Sequence, residues 1–347
     1  MKIAGRKISQ RNKPYIVAEL SANHNGSLQT ALRCVRLVAK AGADAIKLQT
    51  YRADSITLNL RKGEFLDKDK KSLWYGRSLH SIYKKGETPW RWHSKIFKMA
   101  KKMGIHCFSS PFDFEAVDFL EKLKTPCYKI ASPECVDIPL IKKTASKKKP
   151  IIISTGMASQ KEISIAIKAA RKSGCKNIAL LKCTSAYPAK IEDCNLDTIP
   201  EMRSKFGCEV GFSDHTIGIS AAVAAVSKGA TIIEKHFKTS NKDRGLDSKF
   251  SIDFSELKKL VKSCNEAWLA RGKIMFGPSL SEKKNLRYRR SLYIVKDLIA
   301  GNTLTSKNIR SIRPANGLDT KYYYKVLGKK IKKNIKKGTP LKLSLIK

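Results

Sequence analysis

Short apolar runs rich in β-branched residues recur along the first two thirds of the chain, each separated from the next by enough residues for a helix. In order they are YIVAEL (15–20), AIKLQT (45–50), HCFSSP (106–111), CYKIAS (127–132), IIISTG (151–156), IALLKCTSA (178–186), CEVGFSDH (208–215) and TIIEKHF (231–237). The stretches between them carry the 3.6-residue apolar period, as in SLQTALRCVRLVAKAGA, SKIFKMAKKMG, EAVDFLEKLK, SQKEISIAIKAARKSG and ISAAVAAVSKGA. Several close on a glycine just before the next strand. Eight such repeats predict an α/β fold, a TIM barrel over residues 1–271. A doubly wound sheet would carry GxGxxG or GxxxxGK[ST] after an early strand, and the chain has neither.

Two segments depart from the repeat. A long insertion from Tyr51 to Trp92 rides on the second βα connection, and its aromatic residues predict an ordered lid or interface. Beyond Ala270 the pattern changes across GKIMFGPSLSEKKNLRYRR, read as a polar linker at 272–286. The remainder, 287–347, alternates turns (AGN, NGL, KKGTP) with short β-type runs. A domain of this size is near the lower limit for folding alone, so it is expected to dock on another surface.

Composition changes this picture only in part. The net charge of +41 would ordinarily suggest nucleic acid or an anionic membrane. The lysines, however, are spread through every segment without alternating aromatic residues, which favours a diffuse solvated surface over a nucleic-acid site. No apolar stretch of about 18 residues and no leader pattern occur, so the reading is a soluble cytoplasmic protein without a membrane partner. The nine cysteines are odd in number and lack CxxC or zinc-module spacing, which favours reduced thiols.

Active sites of TIM barrels lie at the C-terminal strand ends, and polar residues concentrate there. They are Glu19 on the first strand, Lys47 and Gln49 on the second, Ser109 and Ser110 on the third, and Lys129, Ser132 and Glu134 on the fourth. Ser154 ends the fifth, Lys182, Thr184 and Ser185 the sixth, Ser213 and His215 the seventh, and Glu234 and His236 the eighth. Residues two apart share a face, so Lys47 goes with Gln49, Ser213 with His215 and Glu234 with His236, each pair pointing into the barrel mouth. Two histidines at one height on adjacent strands form a candidate clamp for a divalent metal with positions open for water and substrate. The competing reading is that they merely cap the barrel. Lys47 and Lys129, with the Ser and Thr hydroxyls, suit a phosphate, because an ammonium on a buried strand is costly without an anion. Glu19 and Glu134 are candidate acids or bases, or else ion-pair partners of the lysines. The NHNG that follows places Asn23, His24 and Asn25 in a turn.

The segments AELSANHNG, KLQT, FSSPFD, YKIAS, STGMA, LLKCTSAYP, GFSDHT and IIEKHF, followed by RRSLYIV and IRSIRPANGL, resemble the sialic acid synthase family from about Tyr15 to the C-terminus. SANHN, the SLWYG and TPWRWH insertion, SSPFD and KCTSAYP are most similar to the branch of that family that makes pseudaminic acid. The resemblance implies a TIM barrel followed by an antifreeze-like (SAF) domain. It also implies condensation of phosphoenolpyruvate with an open-chain acetamido sugar to a nine-carbon acid and phosphate. A divalent metal is implied, usually manganese, with magnesium or cobalt as substitutes. Carried over motif by motif, His215 and His236 are the implied metal ligands, and Lys47, Ser110, Lys129, Ser132, Ser154, Thr184 and Ser213 the implied phosphoenolpyruvate cradle, with Ser185 a further candidate for substrate binding. Glu134, Tyr187 and Asp247 are implied sugar contacts. Glu19, Gln49, Glu134 and Glu234 are candidates for positioning water or moving protons. The resemblance further implies a homodimer in which Arg313 of RPANG reaches over the partner's barrel. Two departures lie on the sugar side: Pro133 after YKIAS, and NKDRGLD before Asp247. The rival readings are a synthase for N-acetylneuraminic or legionaminic acid, and a polyanion binder built on a retired barrel.

Overall fold

The computed structural model describes residues 1–70, 72 and 74–347, so Leu73 of the SLWYG segment lies outside the described residues. The chain divides into two compact units, Met1–Gly272 and Lys273–Lys347. The first is a closed barrel of eight parallel strands: β1 (Tyr15–Glu19), β2 (Ala45–Thr50), β3 (His106–Pro111), β4 (Tyr128–Ile130), β5 (Ile151–Ser154), β6 (Ile178–Cys183), β7 (Glu209–Asp214) and β8 (Ile232–His236). β8 closes on β1 with Ile232 opposite Tyr15 and His236 opposite Glu19. The helices packed between strands are α1 (Leu28–Ala41), α2 (Trp90–Lys102), α3 (Phe114–Lys122), α4 (Ile138–Ala145), α5 (Gln160–Lys172), α6 (Thr198–Phe206) and α7 (Ser220–Ser227), with α8 (Phe254–Arg271) after the last strand, and the insertion adds the short helices Ala53–Ile56 and Leu79–Gly86.

Local sequence starts and stops these helices where the apolar period does. Ser159 accepts from the Glu162 amide while Glu162 reaches back to the Ser159 amide, a reciprocal cap at the start of α5. Asp253 and Glu256 do the same for α8, and Gly42 ends α1 in the left-handed conformation.

Side-chain parity along the strands builds two apolar layers. Ile16, Ile46, Leu48, Ile130, Ile153, Leu180, Phe212 and Ile233 pack outward against the helices. Tyr15, Val17, Ala45, Phe108, Ile152, Leu181 and Ile232 fill the barrel interior. An antiparallel hairpin, Lys2–Ile3 with Arg6–Lys7, supplies Ile3, and the residue after it, Ile8, joins the same inner layer. Gly211 is required there: a Cβ would stand 2.3 Å from the Ile232 carbonyl oxygen and 2.7 Å from Leu181 Cδ2. The apolar filling occupies the lower half of the strands, and the polar ends lie above it.

The insertion is ordered at its base. Tyr51 is buried, its hydroxyl donates to the Tyr83 carbonyl at 3.1 Å, and the Trp90 indole donates to the Tyr51 carbonyl. The second unit has a core of its own, with Leu292, Ile294, Leu304, Ile309, Ile331 and Leu341 buried around an antiparallel pair, β9 (Ser291–Ile294) and β10 (Ile309–Ile312). Among the described residues, no helix is long and apolar enough to cross a membrane, and all nine cysteines are buried and unpaired.

Candidate active site

Odd-numbered positions of β1 and β2 and even-numbered positions of β8 face the barrel axis, so Glu19, Lys47 and Glu234 meet above the inner apolar layer. Lys47 Nζ forms ion pairs with Glu19 Oε2 and, at 3.2 Å, with Glu234 Oε1. Lys129 Nζ stands 3.6 Å from the same Glu234 oxygen, and the Ser213 hydroxyl donates to it at 3.3 Å. Burial, the largest influence on all four ionisable groups, works against each charged form, and the balance then differs. It pushes Glu19 up to about 7 against the pull of Lys47. At Glu234, Lys129 and Lys47 outweigh it and hold the carboxyl below its ordinary range. At Lys47 the two carboxylates outweigh it and hold the ammonium charged, whereas Lys129 is pulled downward. Two ammoniums and two carboxylates thus share the cluster, and Glu234 Oε2 has no hydrogen-bond partner.

Hydroxyls surround these lysines. Lys47 donates to Ser110 Oγ at 3.4 Å, and Gln49, half-buried, lies opposite Ser110 in register. Ser132 Oγ accepts from the Gly156 amide at 3.1 Å. Ser154 Oγ and Ser185 Oγ are buried without partners, two donors waiting for an acceptor. Gly156 must be glycine, since a Cβ would lie 2.2 Å from Ser185 Oγ and 2.8 Å from Ser132 Oγ. Glu134 sits in the short 3₁₀ turn Pro133–Val136 after β4; its Oε2 is orphaned and burial pushes its carboxyl up to about 7.

The two histidines converge, with ring centroids 5.3 Å apart. His215 Nδ1 donates to the Thr184 carbonyl at 2.9 Å, which leaves Nε2 as the free lone pair, the arrangement typical of a metal-binding imidazole. His236 Nδ1 is buried without a hydrogen-bond partner, 4.0 Å from Asp247 Oδ2. Burial raises the Asp247 carboxyl, while the Ala22 amide donates to it at 3.3 Å. Tyr187 and Phe250 pack around both rings, Tyr187 4.4 Å from His215 and Phe250 4.9 Å from His236. Among the described residues no third His, Cys, Asp or Glu completes a metal cluster. The two imidazoles are the residues that could hold a divalent ion here, with any other positions left to water or substrate.

Matches to known proteins bear on this arrangement. The NeuB family matches residues 34–275, and the SAF domain matches residues 289–347. The chain belongs to the NeuB family. It is 45% identical to a pseudaminic acid synthase of Campylobacter jejuni subsp. jejuni serotype O:2 over 330 residues, covering 95% of this chain and 96% of that protein. It is 38% identical to an N,N'-diacetyllegionaminic acid synthase of the same organism over 328 residues, 93% of this chain and 97% of that one. Among solved structures, the N-acetylneuraminic acid (sialic acid) synthetase of Leptospira borgpetersenii serovar Hardjo-bovis, in complex with citrate, superposes with a TM-score of 0.73. It is 31% identical, and the match covers 83% of this chain and 95% of that one.

Within this NeuB-family barrel, some strand-end residues do not join the mouth. Ser109 faces outward, 2.6 Å from Thr50 Oγ1, which in turn lies 2.8 Å from His93 Nε2. Lys182 also faces outward, among α5 and α6 residues. The Thr184 hydroxyl is committed to the Asp193 carbonyl at 2.9 Å, so at His215 the residue acts through its main chain. Arg313 belongs to the second unit and is exposed there. Three features escaped the sequence reading. Lys235, inside the IIEKHF run, points outward to Asp214 at 2.8 Å, and both are fully buried. Asn23 donates to the Phe237 carbonyl and to Ser251 Oγ, tying the first loop to the end of β8. Phe250, on the His236 ring, carried no polar signal; its placement two residues before the next apolar position, Ile252, was the available clue.

Proposed function

We infer that this chain is a pseudaminic acid synthase. Its reaction joins phosphoenolpyruvate to 2,4-diacetamido-2,4,6-trideoxy-β-L-altropyranose with water and releases pseudaminic acid and phosphate. The observation that carries the reading is the near full-length identity of 45% to a pseudaminic acid synthase, beside 38% to the legionaminic acid synthase of the same organism. The enzyme is a transferase that forms a carbon–carbon bond.

In this reading Lys47, Lys129 and the hydroxyls of Ser110, Ser132, Ser154, Ser185 and Ser213 hold the phosphate and carboxylate of phosphoenolpyruvate. The unpartnered hydroxyls and the two buried ammoniums support that role. Tyr187, Glu134 and Asp247 line the sugar side. A divalent ion on His215 and His236, manganese in preference to magnesium or cobalt, would supply Lewis-acid polarisation of the sugar's aldehyde oxygen. The cradle holds the enol so that its C3 electrons form the bond to the aldehyde carbon, leaving a cation at C2 that takes up water. Gln49 helps to position that water, and Glu19, poised near neutrality against Lys47, accepts its proton. Glu234, kept ionised, steadies the cation as it forms, and the tetrahedral intermediate then expels phosphate.

A homodimer completes the proposal, with Arg313 of one subunit over the partner's barrel. Ile274 and Phe276, 94% and 96% exposed, support a buried role for that connector in an assembly. Mixing His215→Ala with Arg313→Ala subunits should restore part of the activity each lacks alone. Phosphate release from phosphoenolpyruvate and manganese with a panel of acetamido sugars, followed by mass measurement of the product, tests the reaction. Turnover of N-acetylmannosamine or of the legionaminic precursor, with none of the altropyranose, would overturn it.

A further inference from the structure

A cavity of about 420 Å³ opens on the helix side of the sheet, between α5 and α6. Its lining joins an apolar wall of Met157, Ile163, Met202 and Phe206 to polar side chains that include Gln160, Glu201 and Lys205, with Met157 72% exposed at the lip. Lys182 of β6 also lines this space. Lys182 is half-buried, and among the described residues its one hydrogen bond is to the carbonyl of its neighbour Cys183 at 3.2 Å. Among the described residues no carboxylate lies within ion-pair distance of it, Glu201 of the same lining included, although Lys235, on the same outer face two strands away, has Asp214 at 2.8 Å. Burial lowers the Lys182 pKa, as expected for an ammonium that lacks a counter-ion. An unpaired ammonium beside the apolar wall of a cavity of this size suits an anion with an apolar body.

We propose that the cavity between α5 and α6 binds a small molecule with an apolar body and one anionic group, a carboxylate or a phosphate, held by Lys182. Its floor is the reverse side of the active-site mouth. Thr155, which lines it, lies between Ser154 and Gly156, and its amide and hydroxyl both bond to the Leu181 carbonyl. Lys182 holds the Cys183 carbonyl, and the next carbonyl, of Thr184, orients His215. An anion that draws the ammonium away from Cys183 therefore acts on the backbone that sets the histidine, and this link rests on the function proposed above.

Calorimetric titration of the full chain tests the site, with phosphoenolpyruvate present at saturation to occupy the mouth. The probes are benzoate and phenyl phosphate, which separate carboxylate from phosphate preference, with benzyl alcohol as the uncharged control. Saturable binding of one anion is expected, weakened at least about tenfold in Lys182→Met, the loss of a charge-assisted hydrogen bond. Met202→Trp, which fills the cavity without touching the charge, should abolish it. Absence of saturable binding, or equal binding by wild type and both variants, overturns the site. A change in phosphate-release rate at saturating probe, lost in Lys182→Met, supports the link to His215; an unchanged rate in the wild type overturns that link.

Discussion

Strand β8 carries two buried charges on opposite faces, Glu234 toward the barrel axis and Lys235 toward the helices, and their surroundings differ in completeness. The outer pair is closed. Lys235 Nζ bonds Asp214 Oδ2 and the Thr216 carbonyl, while Asp214 Oδ1 accepts from the Thr216 amide and hydroxyl at 2.8 and 2.7 Å. The inner set is open: two lysines share Glu234, Glu19 is held near neutrality, and Glu234 Oε2, Ser154 Oγ and Ser185 Oγ have no partners. A buried polar group costs free energy unless it is paired, so a saturated network reads as structure and an unsaturated one as a place kept for a ligand.

The largest effect should come from breaking the closed pair. Lys235→Met leaves Asp214 buried without a counter-charge and should cost about 3–5 kcal/mol, measured as a fall in the urea midpoint. The rate of the molecules that remain folded should change little. Adding Asp214→Asn should recover most of the lost stability; failure to do so would mean that the two residues do not act as a unit. The open set should respond in the opposite sense. Lys129→Met should lower phosphate release by about 10²–10³, the cost of one charge-stabilising donor, with the unfolding midpoint nearly unchanged because Glu234 keeps Lys47. A large loss of stability in that variant would place Lys129 with the structural pairs.

The outer face also contains a pH-sensitive group. His93 is fully buried beside Thr50, and burial pushes its imidazole down to about 4. The unfolded chain takes up a proton near pH 6.5 and the folded chain does not, so His93 costs nothing above that pH. As pH falls from about 6.5 to about 4 the fold should lose about 3 kcal/mol through this group, and the loss levels off once the buried ring also protonates. His93→Gln should flatten the fall in melting temperature over that window, and an unaltered slope would assign the acid sensitivity elsewhere.

The same face parity explains what could be read from the chain. Lys47 with Gln49, Ser213 with His215 and Glu234 with His236 are two apart, and the period of two alone assigns them to one face. Ser109 and Lys182 were grouped with the mouth because they stand near strand ends, but each is one residue out of phase with Ser110 and Cys183, and one residue reverses the face. Lys235 and Asp214 are 21 positions apart, and their pairing is a product of adjacent strands that no local pattern announces. β4 extends only over Tyr128–Ile130, shorter than CYKIAS suggests, because Pro133 starts a 3₁₀ turn that carries Glu134 inward. The second unit's buried cluster was likewise hidden, being assembled from residues as far apart as Leu292 and Ile346.

Glu134 offers the finest test of the open set, since it belongs there by position and not by any ion pair. Its Oε2 is orphaned, and burial, only partly opposed by its own main chain and Lys129, pushes its carboxyl up to about 7. Around neutrality it therefore passes from donor to acceptor, and a sugar hydroxyl or amide placed against it meets a different partner on each side of that pH. The KM for the acetamido sugar should show an inflection near pH 7, and Glu134→Gln should remove the inflection at a cost of about tenfold in kcat/KM. The KM for phosphoenolpyruvate should keep its profile in the same variant, because Lys47 and Lys129 are untouched. An inflection that survives in Glu134→Gln would move the titrating group to Glu19, where burial and Lys47 leave a carboxyl with nearly the same pKa.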